Sequence, residues 1–377
     1  MKNNFRKDRF RTVSFTYTED QVAYLKADWQ DYLSDIGEFP RDRYQGKGIV
    51  YTAGGVSYVT CLWVSISQLR NTGCTLPIEV WYVGNEISDE IIAEFRGLDV
   101  IFKDFNHYTN VNQRGYILKP LAILNSSFKE VLFLDADNIC VKDPNYLFES
   151  VEYRAHGALF WPDFWKTGKS NSIWKITGVK PKDLIEQESG QILIDVESCW
   201  KALNLCLYFN RLGEYYYRIL LGDKDTFKFS WLASNTDYYM IDLLPGSCGR
   251  IVDGVFIGNT MVQFGTDHSI LFLHRNLLKW DVTHDDERVW EYVQRYMPNS
   301  TNKKISQKIT KDGLYSIELL GDVSGTDARN LEINIPALED RCLNYLKYFR
   351  QLKSYSDYLL FDHFAKNRHR SGVYFKV

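Results

Sequence analysis

The stretch EVLFLDADNICVKDP (130–144) decides how this chain is read. Residues 131–134, Val-Leu-Phe-Leu, form an apolar run long enough for a buried strand. The run ends on two carboxylates, Asp135 and Asp137, with only Ala136 between them. In an extended chain alternate side chains share a face, so the two acids point the same way. Two hard oxygen ligands converging at a strand end suit a cation such as Mg²⁺ or Mn²⁺, with phosphate oxygens or water completing the shell. Without such an ion the like charges repel. The plainer reading is a turn after a strand, where Asp is favoured, and D-x-D alone is a weak motif.

Working outward, GKGIVYTAGG (46–55) reads as a strand with a glycine-rich end, and SYVTCLWVSISQLRNTG (57–73) as a helix closing at Gly73. LPIEVWYVG (76–84) is a second strand, SDEIIAEFRGL (88–98) a helix capped by Ser88, DVIFKDF (99–105) a third strand and KPLAILNSSF (119–128) a helix leading into 131–134. Strands alternating with helices predict an α/β fold with a mostly parallel central sheet flanked by helices. Ligands of such sheets bind beyond the carboxyl ends of the strands, where YTAGG and DAD both lie. LFLHRNLLKW (271–280) is another apolar strand, ending on His274 with Lys279 five residues on. A histidine nitrogen can join the same ion, and a lysine can hold a phosphate as a point charge. A lone histidine at a core edge is more often simply hydrogen-bonded to backbone. Small residues in YTAGG let a nucleotide approach the backbone closely, although the stretch is neither G-x-G-x-x-G nor a Walker loop. ESGQ (188–191) and GDKD (222–225) are polar constellations, and a helix cap or a turn competes with a site role for each.

Beyond these motifs, EDQVAYLKADWQDYLSDIG (19–37) places Val22, Leu25, Trp29, Tyr32 and Leu33 on one helical face within an N-terminal appendage, 1–45. Helices are expected at 197–221 and 223–233. DDERVWEYVQRYM reads as a further helix, NSTNKKISQKITKDG as a polar linker and 337–362 as a helix pair. The formal net charge of −3 provides no basic field for nucleic acid. Seven scattered cysteines without C-x-x-C argue against a zinc knuckle and for mostly free thiols. No apolar run reaches the roughly 18 residues of a spanning helix, and no secretory signal is visible.

The ordered set KGIVYTAGG, LPIEVWYVG, KPLAILNSSFKEVLFLDADNI, ALFWPDFW, ESGQILID, GDKDTF and LFLHRNLLKW resembles the fungal Golgi α-mannosyltransferases of glycosyltransferase family 71. The resemblance covers roughly residues 46–280. It implies a GT-A fold at 46–280, with a nucleotide-binding half (46–145) and an acceptor half (146–280), leaving 281–377 as a C-terminal helical extension. It also implies GDP-mannose as donor, Mn²⁺ or Mg²⁺ as cofactor, a glycan or glycoconjugate hydroxyl as acceptor and an α-linked, retained product. By the same resemblance Asp135, Asp137 and His274 hold the metal. Lys279 and Lys119 steady the phosphates, and Thr52, Ala53 and Gly54 line the nucleoside pocket. Glu188 and Gln191 lie near the sugar, Asp223 and Asp225 near the acceptor or sugar hydroxyls, and Trp161 and Asp163 touch donor or acceptor. The family's enzymes carry an N-terminal membrane anchor. With no anchor visible here, the expected location is the cytoplasm as the chain stands, or the Golgi lumen if an anchor precedes it. The H-x-x-x-x-K-W arrangement is also similar to glycogenin-like enzymes, so a transferase using a UDP-hexose is the nearest alternative. A non-catalytic carbohydrate-binding protein on the same fold and a metal-dependent phosphohydrolase are the others.

Overall fold

A computed structural model describes residues 3–108, 115–310, 313 and 315–361. The chain divides into two compact units that alternate along the sequence. The first comprises Met1–Tyr51, Tyr108–Leu134 and Leu147–Asp242; the second comprises Thr52–His107, Asp135–Tyr146 and Leu243–Val377.

In the first unit a sheet runs in the order Asn3–Phe5, Phe10–Val13, Ala158–Thr167, Ile185–Asp195, Glu130–Asp135, Lys47–Thr52. Its pairings are mixed. Phe10–Val13 and the short strand Tyr239–Met240 lie parallel to Ala158–Thr167. Ile185–Asp195 is antiparallel to both of its neighbours, with Leu134 opposite Gln191 and Trp161 opposite Glu188. Residues 131–134 and 158–165 are buried throughout, which is why they read as continuous apolar runs and not as alternating ones. Helix Glu19–Asp35 opens with a capping box between Thr18 and Gln21. It lays Val22, Leu25 and Trp29 against Ile173, Trp174 and Ile176, with Tyr32 and Leu33 at the margin. The Trp29 indole donates to the Ile176 carbonyl at 2.8 Å.

Two departures from the sequence reading share one cause. Phe10–Val13 is a strand whose fully buried member is Arg11, and ESGQ lies within the 11-residue strand Ile185–Asp195 instead of at a cap or turn. Apolar periodicity cannot announce a strand whose inward residues are charged. What replaces it is a buried network of ion pairs. Arg11 Nε donates to Glu186 at 2.6 Å and its guanidinium lies 3.7 Å from Asp225. Lys224 pairs with Asp163 and, at 2.5 Å, with Glu186. Lys228 closes on Asp225 at 3.0 Å, and both side chains are fully buried. The three cations balance the three carboxylates, which is what makes burial of such groups tolerable.

In the second unit, Ile78–Tyr82 and Val100–Asp104 pair in parallel. A six-stranded sheet runs Val323–Asp327, Tyr292–Tyr296, Gly246–Val252, Val255–Phe264, Ile270–His274, Asn138–Cys140, antiparallel at every pairing. Helix Gly55–Asn71 is buried around most of its circumference, and Trp63 stacks on Phe349 of helix Ile335–Gln351 with ring centroids 4.8 Å apart. The expected helix across DDERVWEYVQRYM is strand Tyr292–Tyr296, and the expected linker contains strand Lys303–Ile309. Val289, Trp290 and Val293 are all buried, and their spacing imitates a helical face. Pairing with Gly246–Val252 and Val323–Asp327 overrides that signal. The expected helix pair at 337–362 is present as Ile335–Gln351 and Lys353–Phe361; residue 362 lies outside the described residues. All seven cysteines are free and buried, as the absence of C-x-x-C suggested.

Lys228→Met strands Asp225 without its nearest cation and should destabilise the protein by about 3–5 kcal/mol in denaturant titration, more than a surface lysine does. The pH dependence follows from the same pair. Burial pushes the Asp225 carboxyl up, but Lys228, then Lys224 and Arg11, outweigh it and hold the group down at about 2. Its folded value lies below the unfolded one of about 3.9, so this contribution is present above pH ~4 and is lost as pH falls towards 2. Asp163 works the opposite way. Burial raises it to about 6 despite Lys224, so its carboxylate costs stability as pH rises from about 4 to 6. Melting temperature followed against pH should therefore show two separate windows, with Asp225→Asn flattening only the lower one.

Candidate active site

The second unit brings together Asp135, Asp137, His274 and Lys279. Asp135 ends strand Glu130–Asp135, Ala136 and Asp137 form a turn, and Asn138–Cys140 follows at once. The acids therefore do not converge by strand alternation, as the sequence suggested. A two-residue turn separates two strands that belong to different sheets. Asn138 stands opposite His274 in the register with Ile270–His274, and Arg275 N donates to the Asp137 carbonyl at 3.0 Å. That pairing sets the imidazole against both acids. His274 Nε2 lies 3.1 Å from Asp137 Oδ1 and 3.9 Å from Asp135 Oδ2. Lys279 Nζ pairs with the other oxygen of Asp137, and its ammonium sits 5.3 Å from the Tyr58 ring centroid.

Asp137, His274 and Lys279 are buried, whereas the Asp135 side chain keeps 27% of its surface exposed. Burial would raise Asp137, but Lys279 and then His274 overcome it and hold the carboxyl well below the ordinary range. Burial would likewise lower Lys279, but Asp137 holds its ammonium well above the ordinary lysine value. Neighbouring donor atoms around an octahedral ion with bonds near 2.1 Å sit about 3 Å apart, and opposite ones about 4 Å. The two oxygen-to-nitrogen separations fall at those values, and the set is two carboxylates and an imidazole. These residues fit a divalent cation.

Thr52 ends strand Lys47–Thr52, and Gly54 is the N-cap of the 17-residue helix Gly55–Asn71. Ala53 N donates to the Trp81 carbonyl at 3.1 Å. At Gly54 the φ of −169° suits any residue, and a Cβ there would press on the end of the Glu86 side chain. Gly55, with φ of +70°, supplies the left-handed step into the helix. Small residues thus leave the positive end of a long helix approachable, a setting favourable to phosphate.

The remaining predicted residues lie in the first unit. Lys119 Nζ pairs with Asp223 at 3.1 Å and donates to the Ser189 carbonyl at 2.8 Å and hydroxyl at 2.9 Å. Asp223 precedes helix Lys224–Ala233 without capping it by its side chain, so Asp223 is engaged by Lys119 and Ser189. Glu188 accepts from Gly190 N at 2.8 Å. Gln191 and Trp161 are fully buried. Asp163 accepts from Phe164 N at 2.6 Å and pairs with Lys224. Asp225 is fully buried within the ion network and also accepts from Gln187 N at 3.2 Å. Sequence reasoning missed Glu186, Lys224, Arg11 and Lys228, the partners that hold Asp163 and Asp225 in place. Their one signal was a run of acids and amides, EQESGQ, beside an apolar ILID. It also missed Tyr58 beneath Lys279 and Arg275 beside His274. The buried thiols are not part of this chemistry: burial raises Cys61, behind Lys279, to about 12.

Among the described residues no helix is long and apolar enough to cross a membrane. Among curated proteins the chain is similar to Alpha-1,2-mannosyltransferase MNN21 of Candida albicans, 28% identical over 332 residues, covering 71% of this chain and 50% of the relative. It is also similar to Alpha-1,2-mannosyltransferase MNN2 of Saccharomyces cerevisiae, 27% identical over 298 residues, covering 65% and 50%. The chain spans about half the length of the curated relatives it matches. Among solved structures, galactosyltransferase LgtC in complex with donor and acceptor sugar analogs aligns with a TM-score of 0.36 at 17% identity, over 48% of this chain and 69% of that one. The family model described as "Mannosyltransferase putative" matches residues 46–188 and 182–264, more than half of the chain, and the protein belongs to that family.

Proposed function

We propose that the protein is a retaining GT-A glycosyltransferase that moves mannose from GDP-mannose to a hydroxyl of a glycan or glycoconjugate, using Mn²⁺ or Mg²⁺. The α-1,2 linkage in the names of its relatives is the linkage we assign to the product. The observation that carries the reading is the convergence of Asp135 and Asp137 on His274 Nε2, at 3.9 and 3.1 Å, in a chain of this family. The catalytic domain in this reading is 46–280, with 1–45 and 281–377 joined at its ends.

Asp135, Asp137 and His274 are the residues that would hold the cation. A bound cation supplies electrostatic stabilisation of the departing diphosphate. Lys279 contributes a fixed positive charge on the phosphate side, and burial makes that charge count for more than it would in water. Thr52, Ala53 and Gly54 receive the nucleoside at the N-terminus of helix Gly55–Asn71. Glu188 and Gln191 face the sugar, and an oxocarbenium-like anomeric carbon is stabilised by the Glu188 carboxylate. Asp223, held by Lys119, orients hydroxyls. Asp225 is engaged through one oxygen by Lys228 and Gln187 N and acts by holding strand Ile185–Asp195 in place, not by touching substrate. In the transfer step the acceptor oxygen bonds to the anomeric carbon on the face from which the diphosphate leaves. The bond between the anomeric carbon and the diphosphate oxygen breaks, and the hydroxyl proton passes to a diphosphate oxygen.

Asp135→Asn is the cleaner test of the metal reading, because Asp135 is partly exposed whereas Asp137 is buried against Lys279 and His274. It should lower transfer by about a hundredfold or more and weaken Mn²⁺-dependent GDP binding, with melting temperature little changed. Calorimetric GDP binding that ignores both Mn²⁺ and the substitution would remove the metal from the site. Glu188→Gln should lose rate more than donor affinity, and single-turnover kinetics with GDP-mannose separates the two. A donor panel read by nucleotide release should favour GDP-mannose over UDP-glucose, UDP-galactose and UDP-N-acetylglucosamine; preference for a UDP-hexose would reassign the donor.

A further inference from the structure

The segment carrying His274 and Lys279 has little regular structure of its own. Strand Ile270–His274 ends at the histidine, and only the three-residue 3-10 turn Trp280–Val282 follows Lys279. Yet both side chains must meet the same carboxylate, Asp137, from two directions. Something outside the segment has to set its shape.

Helix Ile335–Gln351 does so at two points. Glu339 and Arg350 are eleven residues apart, about three helical turns, so they lie on one face. Near the start of the segment, the buried Glu339 carboxylate accepts from Arg275 Nη1 at 3.0 Å and from the backbone of Val289 and Trp290 at 2.9–3.0 Å. The Arg275 guanidinium lies over the Trp280 ring, 4.0 Å from its centroid, and 5.5 Å from that of Trp290. At the far end, Arg350 donates to the carbonyls of Thr283, Trp280 and Asp281 at 2.8, 3.2 and 2.9 Å. One hydroxyl ties the two ends together. Thr283 Oγ1 accepts from Arg275 Nη2 at 3.0 Å and donates to the Lys279 carbonyl at 2.9 Å.

We propose that helix Ile335–Gln351 is the positioning element of the cation and diphosphate site, acting through Glu339–Arg275 and Arg350, with Thr283 as the hydroxyl that fixes Lys279 relative to His274. The assignment rests on the metal reading given above. Arg275 is the residue next to His274, and Thr283 holds the backbone of Lys279, so loosening either spreads the ligands around Asp137. None of these positioning residues touches substrate. Their effect is carried by a rigid loop, as with the outer-shell partners that orient metal ligands elsewhere. The arrangement also explains why so much charge is buried far from solvent: Arg275 and Glu339 neutralise each other while stacking on two tryptophans.

The test uses the full chain, with Mn²⁺ titrated calorimetrically in the presence of GDP and melting temperature followed in parallel. Thr283→Val keeps the side-chain shape and removes the hydroxyl. It should weaken Mn²⁺ binding about tenfold. Thr283→Ser restores the hydroxyl and should restore the affinity, which a purely structural role for the methyl group would not predict. Arg350→Gln releases the other end of the clamp from a partly exposed position and should weaken Mn²⁺ binding in the same sense. Wild-type affinity in folded Thr283→Val and Arg350→Gln overturns the positioning role alone. A wild-type protein that binds no Mn²⁺ overturns the metal reading, and this inference falls with it.

Discussion

The Asp137 carboxylate, clamped between His274 Nε2 and Lys279 Nζ, is the interaction on which the candidate site depends. A buried carboxylate without partners would take up a proton and lose its value as a metal ligand. Here Lys279 and then His274 outweigh desolvation and hold the carboxyl well below the ordinary range. The same clamp imposes a demand on the backbone. It needs the turn at Ala136 and Asp137, the pairing of Asn138 with His274, and a fixed path from His274 to Lys279. Asp135 differs in kind. It is partly exposed, and its carboxylate lies 3.9 Å from the imidazole. Asp137 is buried, whereas Asp135 keeps part of its side chain exposed.

The two units solve the problem of buried charge in different ways. In the first, Arg11, Lys224 and Lys228 face Asp163, Glu186 and Asp225, and the network is closed upon itself. Such a network confers a defined position more than stability, since a hydrophobic replacement of the whole set would cost little while loss of one member costs much. It fixes strand Ile185–Asp195 at Glu186 and Gln187, next to Glu188. In the second unit the charges are arranged in series, from helix Ile335–Gln351 through Arg275 and Thr283 to the 274–279 segment. That chain of contacts transmits position along a loop, where the first unit's network fixes a sheet.

Much of the fold was legible wherever apolar side chains did the organising. The strand at 131–134, helix Gly55–Asn71, the strand Ile78–Tyr82 and helix Glu19–Asp35 all announced themselves by runs, periodicity or caps. Sequence reading failed where polar groups took over the inward positions. Arg11 hid a strand, and EQESGQ hid the start of another. In the C-terminal third, Val289, Trp290 and Val293 produced a false helical signal: all three are buried, yet Val293 lies in strand Tyr292–Tyr296 and the other two precede it. For the site, Asp135, Asp137, His274 and Lys279 could be named in advance because D-x-D and H-x-x-x-x-K-W each carry their acids and bases in a short span. Glu339, Arg275 and Thr283 could not, because what joins them is tertiary contact between residues with no common motif.

That difference follows from what each class of residue has to do. A ligand must present a particular atom, so its identity and local spacing are constrained and visible in a few letters. A positioning residue has only to deliver a hydrogen bond to the right place, and many combinations of helix, side chain and loop length would deliver it. Thr283 shows the point most simply. Its hydroxyl joins a guanidinium and a carbonyl eight and four residues earlier in the chain, and nothing in the letters T-H-D-D distinguishes it from an ordinary turn. The geometry gives it meaning: one oxygen links the arginine next to His274 to the backbone of Lys279, so the two groups that meet Asp137 are joined through a residue whose own side chain does not touch that acid.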